Sequence, residues 1–496
     1  MRVTAAVLAV TLTCAGGAAV WHAAAADPQV HLADNGVGGS SNSGSNGGSN
    51  GGSNGGTNAD SNGGSSLASE DGPAVAGPPV LATAPVDAAV PTAAGLTARL
   101  DPIVLDKSGA SVVAAAVTDV ETGKLLYGHD PDQLMPPAST IKIATAVAAL
   151  ERMPGTTRFA TTVRQDRAAG RIILVGGGDV SLSSTGTSPD PDFQPASLQS
   201  LVDQTAAALK ASGDTSVALA YDDSAFAAPV RAATWASSYT SGDVAPVNAL
   251  EVDEGRIQPK REFSGRASDP AQAAAELFAG RLGAAGISVT GPVTEAIAPA
   301  SAPVLAQVFS PTLNELVEHT LTVSDDDLAE ALGHLTARVA GQPVTFDGAD
   351  ASTMAELQRL GVAPDAVRLF DSSGLSHADR ISPAALAAVL AQIGGPDHPE
   401  LRAIVSGLPI AGFTGTLGAR FTGAASAGVG AVRAKTGTLN GVNTEAGLVE
   451  DADGRLLAFA VMTTDAASAE ARPDSGQLDH GQLDRFAATL AGCGCR

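Results

Sequence analysis

Two residues whose types and spacing suit nucleophilic chemistry are Ser139 and Lys142, in the run Pro136-Pro137-Ala138-Ser139-Thr140-Ile141-Lys142. The two prolines stop whatever precedes them, and Ile143, Ala146, Val147 and Leu150 then fall at helical spacing on one apolar face. Ser139 is therefore expected in the first helical turn, where backbone N–H groups have no partner inside the helix. Lys142, three residues on, lies on the same face. The positive end of the helix repels a cation there, which favours neutral lysine, the form that a general base needs. The same positive end would stabilise an oxyanion beside the serine. A serine nucleophile with a lysine base is the chemistry on offer. Taken alone, S-x-x-K also describes a surface serine beside a solvated lysine. Scarcity weighs against that reading: the lysines are Lys107, Lys124, Lys142, Lys210, Lys260 and Lys435, and only Lys142 follows a serine at this spacing.

Two further motifs follow in order. Ser324-Asp325-Asp326-Asp327 opens a helical stretch, and by itself it reads as a capping box with Ser324 as N-cap. Lys435-Thr436-Gly437-Thr438, the chain's single K-T-G, leaves a glycine-rich loop for a strand, and by itself reads as a surface strand end. With Ser139-x-x-Lys142 they form a set. A strand-borne lysine with Thr436 and Thr438 can hold a substrate carboxylate, while a strand N–H faces the scissile carbonyl.

The elements that must position these residues can be read around them. Residues 111–117 and 125–127 read as a β-hairpin with its turn at Glu121-Thr122-Gly123-Lys124, leading into the Ser139 helix. Residues 444–449 and 456–462 form a second hairpin, and 483–490 a closing helix. Strands near both ends of the chain thus fit one antiparallel sheet. Between them, a strand at 171–175, a helix at 196–211, a strand at 217–221, a helix from Asp269-Pro270 to 282 and a strand at 287–289 alternate as an α/β insert. Helices follow at 311–321 and from about 324. Gly176-Gly177-Gly178 lacks the lysine of a phosphate loop and reads as a turn.

The chain has 496 residues and a formal net charge of −23, with no basic patch, so nucleic acid and anionic membranes are excluded as partners. The histidines include no H-x-x-x-H or H-x-H pair, so neither metal nor cofactor is expected. Cys493 and Cys495 stand too close in sequence for an easy bridge, and no disulfide framework is expected. Residues 1–26 read as a signal peptide or an uncleaved membrane anchor, and 27–95 as a Gly/Ser/Asn and then Ala/Pro linker. A catalytic domain is expected at 96–160 and 306–490, with the insert at 161–305. An extracytoplasmic head on a long tether, secreted or anchored at the cell envelope, is the arrangement implied.

With Leu174-Val175-Gly176-Gly177-Gly178-Asp179, Asp371-Ser372-Ser373-Gly374-Leu375-Ser376 and Gly415-Thr416-Leu417 added, residues 100–490 resemble the class C low-molecular-mass penicillin-binding proteins, peptidase family S13. The resemblance implies an α+β fold like that of serine β-lactamases and penicillin-binding proteins, with an antiparallel sheet, helices and a large α/β insert. It implies a D-Ala-D-Ala carboxypeptidase or endopeptidase acting on peptidoglycan stem peptides, with β-lactams as inhibitors. Ser139 would be acylated, Lys142 would take its proton, and Ser324 would relay one to the leaving D-alanine. The N–H groups of Ser139 and Thr438 would form the oxyanion hole, and Lys435, Thr436 and Thr438 would bind the terminal carboxylate beside Gly437. The family's middle motif is S-x-N, and Asp326 stands where the asparagine belongs. A carboxylate there opposes removal of a proton from Lys142 and implies reduced activity or a shifted pH optimum, unless Asp326 is protonated or pairs with Lys435. A serine β-lactamase is the rival enzyme reading, disfavoured by the insert and by the lack of an E-x-x-L-N stretch. A cell-wall-binding protein with a weakened site is the non-enzymatic rival.

Overall fold

In the computed structural model, residues 88–106, 112–188, 190–259, 261, 264–465 and 480–496 are described. The signal or anchor segment and nearly all of the linker read from the sequence lie outside these residues. Among the described residues no helix is long and apolar enough to cross a membrane.

Helix α1 (Ala93–Val104) is capped by Thr92, whose hydroxyl accepts from Gly95 N–H, and it buries Leu96, Leu100 and Val104 at helical spacing. Strands β1 (Val112–Asp119) and β2 (Leu125–His129) form the expected hairpin. A 3-10 turn, Ala138–Ile141, then leads into α2 (Lys142–Arg152). Near the C-terminus β11 (Val432–Leu439), β12 (Val442–Glu450) and β13 (Leu456–Thr464) follow one another antiparallel. β13 pairs with β1 from Val112↔Thr464 to Asp119↔Leu457, closing a five-stranded sheet ordered β11-β12-β13-β1-β2.

Both faces of this sheet are covered, and the two-residue period of a strand sorts its side chains between two cores. Ala114 and Ala116 of β1 with Ala458, Ala460 and Met462 of β13 face the larger core, which α2 and five later helices complete. Those are α5 (Leu313–Val323), α6 (Asp326–Ala340), α7 (Phe346–Arg359), α8 (Pro383–Gly394) and α9 (Arg402–Gly407). Val113, Ala115 and Val117 with Leu457, Phe459 and Val461 face α1 and α10 (Gly481–Ala491). Each fully buried Val, Leu or Phe contributes on the order of 1.5–3 kcal/mol. The small residues on the first face let α8 approach the strands closely.

Between α2 and α5 the chain builds a second sheet with its own core. Its strands are β3 (Ala160–Asp166), β4 (Arg171–Val175), β5 (Ser216–Asp222), β6 (Ser288–Val289), β7 (Thr294–Glu295) and β8 (Val304–Phe309). β3 runs antiparallel to β4 and β8, whereas β5 pairs parallel with β4, β6 and β7. Helices α3 (Leu198–Ser212) and α4 (Pro270–Ala284) cover one face. A two-stranded ribbon of β9 (Val367–Arg368) and β10 (Arg380–Ile381) frames a loop described below.

Two local expectations fail. Ser324 is not an N-cap: it ends α5 in the left-handed region (φ 65°, ψ 41°), and Asp325 caps α6 by accepting from Leu328 N–H. Asp is as good a cap as Ser, and the chain breaks between the two helices one residue later than the serine suggested. Cys493 and Cys495, read as too close in sequence for an easy bridge, are joined as a disulfide, their Cα atoms 5.0 Å apart and within bridging range.

Candidate active site

The turn that carries Ser139 is held from three sides. Ala138 takes a left-handed conformation (φ 47°), uncommon for a residue with a side chain. Pro137 carbonyl accepts from the hydroxyls of Thr140 and Thr444, both at 2.6 Å. Two glycines close around this backbone. A Cβ on Gly374 would lie 2.0 Å from Ala138 carbonyl oxygen, and one on Gly437 would lie 2.8 Å from that of Pro137 and 2.3 Å from Thr444 Oγ1. Gly437 therefore lets β11 run against the Ser139 turn, with Thr438 next along the strand and exposed.

Lys142 is wholly buried, and its Nζ donates to Ser139 Oγ at 2.9 Å, Asp326 Oδ1 at 2.5 Å and Ser373 carbonyl at 2.6 Å. Burial pushes the Asp326 carboxyl up from its ordinary value, while the Lys142 charge pulls it back. The Ser373 carbonyl is aimed by a loop tied to buried acids. Glu330 Oε1 accepts from Ser372 and Ser373 N–H at 3.0 and 2.8 Å. Asp371 accepts from Gly374 and Ser376 N–H, each at 2.7 Å, and from Trp235 Nε1 at 2.6 Å. Thr145 on α2 donates to Ser372 carbonyl at 2.7 Å.

Lys435 is the second buried lysine, and its Nζ donates to Ser324 Oγ and to Thr436 carbonyl, both at 2.8 Å. Burial, with the nearby Lys142 charge, holds it well below the usual lysine range, against the opposing pull of Asp326. The left-handed backbone of Ser324 turns its hydroxyl towards Lys435 as α5 gives way to α6. Thr436 Oγ1 lies 2.8 Å from Thr416 Oγ1, on the turn at Gly415–Leu417.

The three motifs thus meet. Asp326, which the sequence left between two lysines, pairs with Lys142. Sequence reasoning assigned no role to Ser373, Glu330, Asp371, Trp235 or Thr416. Asp371–Ser376 and Gly415–Leu417 stood out as motifs, whereas Glu330 and Trp235 carry no local signal. Ligand-type side chains also gather at Glu151, His398 and Glu400, and at Glu254, Asp325 and Asp327, within 4.8 Å in each case. In the second group Arg266 and Arg256 already pair with the acids.

Residues 96–265 and 258–489 match the model of the D-Ala-D-Ala carboxypeptidase 3 (S13) family. The chain belongs to that family. It is 36% identical over 414 residues to a carboxypeptidase of Mycobacterium tuberculosis, covering 82% of this chain and 86% of the relative. It is 34% identical over 433 residues to carboxypeptidase DacB of Mycolicibacterium smegmatis, covering 85% and 89%. The fold matches the crystal structure of penicillin binding protein 4 from Haemophilus influenzae, with a TM-score of 0.65 at 20% identity over 80% of this chain and 98% of that one. Family membership makes the chain an enzyme, a serine-type D-Ala-D-Ala carboxypeptidase, as its motifs imply. The α+β class expected from the sequence is likewise that of the S13 fold.

Proposed function

We propose that this carboxypeptidase cleaves the D-Ala-D-Ala end of peptidoglycan stem peptides through an acyl-enzyme on Ser139, and that β-lactams acylate the same serine. The observation that carries the reading is the position of Lys142 Nζ, within hydrogen-bond reach of both Ser139 Oγ and Asp326 Oδ1. Lys142 can take the serine proton only when neutral. Its own proton has a neighbour to go to, because burial has already raised the affinity of Asp326 for one. That transfer leaves each member of the pair uncharged.

Ser139 Oγ then attacks the carbonyl carbon of the penultimate D-alanine, giving its proton to Lys142. The oxyanion is received by the N–H groups of Ser139 and Thr438. As the peptide bond breaks, the leaving D-alanine nitrogen takes a proton through Ser324, whose hydroxyl is in contact with Lys435. Lys435, Thr436 and Thr438 hold the terminal carboxylate, and water releases the acyl group. Action on the wall outside the cytoplasm follows from family membership. Residues 1–26 supply the export signal or anchor, the linker at 27–95 the reach, and residues 161–305 an α/β insert, part of which (Phe226, Trp235, Val244 and Val247) packs into the main core.

Incubating the protein with a diacetyl-Lys-D-Ala-D-Ala peptide and assaying free D-alanine tests the reading, with fluorescent penicillin reporting acylation of Ser139. Release of D-alanine and stoichiometric labelling, both lost in Ser139→Ala, are expected. Sustained turnover of nitrocefin would make the chain a β-lactamase, and absence of labelling would make it a non-enzymatic wall protein.

A further inference from the structure

The hydrogen-bonded chain through the site does not stop at the K-T-G strand. It runs from Ser324 to Lys435, from Lys435 to Thr436 carbonyl, and from Thr436 Oγ1 to Thr416 Oγ1. Thr416 is exposed, whereas Thr436 is 9% exposed. The turn bearing Thr416 is fixed by close packing. Gly415 is left-handed (φ 54°), and a Cβ there would lie 2.3 Å from Thr322 carbonyl oxygen, two residues before Ser324. Ile410 N–H donates to Thr414 Oγ1 at 2.8 Å, and Ala411 N–H to Val432 carbonyl at 3.0 Å, anchoring the same segment to the start of β11. Thr416 is thus set between the backbone that presents Ser324 and the strand that presents Thr436.

We propose that Thr416 is a positioning residue for the substrate carboxylate, acting through the hydroxyl of Thr436. The inference rests on the assignment of Thr436 to carboxylate binding above. A threonine hydroxyl has one proton to give and two lone pairs to receive with. If Thr436 gave its proton to Thr416, it would meet an incoming carboxylate with a lone pair and repel it. A carboxylate accepts only, so its arrival requires the order Thr416 O–H to Thr436 O, and Thr436 O–H to carboxylate. In that order the outer hydroxyl turns the inner proton towards the substrate and polarises it, since hydrogen bonds in series strengthen one another. Valine at 416 keeps the shape and removes the donor; serine keeps the donor.

The test compares Thr416→Val, Thr416→Ser and wild type on diacetyl-Lys-D-Ala-D-Ala and on the same peptide with an amidated C-terminus. Penicillin G and its methyl ester serve as a second matched pair. Thr416→Val is expected to raise KM for the free acid about fivefold, the worth of one neutral hydrogen bond, with kcat little changed. For the amide and the ester the variant and wild type should differ by less than about twofold, because no carboxylate is there to be oriented. Thr416→Ser should restore the free-acid KM. Equal slowing of acid and amide would mean that the turn only supports the fold, and would overturn the proposal. So would an unchanged KM in Thr416→Val, or failure of serine to rescue. A wild-type protein that neither releases D-alanine nor takes up penicillin would instead overturn the functional reading, and this inference with it.

Discussion

Lys142 Nζ stands 2.5 Å from Asp326 Oδ1 and 2.9 Å from Ser139 Oγ, so one amine links a carboxylate to the hydroxyl that it is proposed to activate. On the mechanism proposed above, the base is never free of a neighbouring acid.

Replacing the acid tests this most directly. In Asp326→Asn the amide keeps a carbonyl acceptor for Lys142 but no negative charge. With no carboxylate beside Lys142, kcat/KM for D-alanine release near neutral pH should rise. Acylation by penicillin near neutral pH should quicken in step. A pH profile and rate unchanged from wild type would show that the carboxylate has no influence on the base.

Among the described residues, buried Lys435 has a hydroxyl and a carbonyl as its hydrogen-bond partners, and its pKa is lowered well below the ordinary lysine value. In the proposed reading such a group serves the substrate carboxylate at the expense of the fold. Lys435→Met should abolish detectable D-alanine release while raising the thermal midpoint by about 2–4 °C. A midpoint that falls would mean that the lysine stabilises the protein.

Beneath the loop that aims Ser373 carbonyl, burial pushes the Asp350 carboxyl up to about 8, with Asp371 and Asp347 adding to the rise. The folded chain keeps a proton there that the unfolded chain releases near pH 4. This group's contribution to stability is fully present below that point and is lost as pH rises towards 8. Asp350→Asn should therefore match wild type in urea at pH 4 and exceed it at pH 8.5. Equal unfolding midpoints at pH 8.5 would refute the assignment.

Gly437 is required by space. A methyl group would press on Thr444 Oγ1 and Pro137 carbonyl, moving β11 away from the Ser139 turn. Gly437→Ala should slow penicillin acylation at least about tenfold, a displacement effect, with the far-ultraviolet spectrum intact. Wild-type labelling kinetics would show that the strand does not need this contact.

Much of the site was legible because its residues are scarce and chemically distinctive. Ser139, Lys142 and Lys435 could be chosen from few lysines and short motifs, and the hairpins from alternation and turn residues. Ser324 was legible as a participant but not in its setting. Asp325 competes as a cap, and nothing local marks a serine for a left-handed residue. Trp235 and Asp371 meet across 136 residues, and no spacing rule reaches that far. Thr416 was visible as part of a motif, but the hydrogen bond to Thr436 depends on how a turn packs against α5.

In the main sheet β1 lies between β2 and β13, and Cys495 carbonyl accepts from Thr92 N–H at 2.7 Å. A nascent chain makes Ser139 and Lys142 before the strand bearing Lys435 and before β13, the neighbour that β1 needs. The site is therefore assembled only after β13 has been made, and a product truncated before β13 should not release D-alanine.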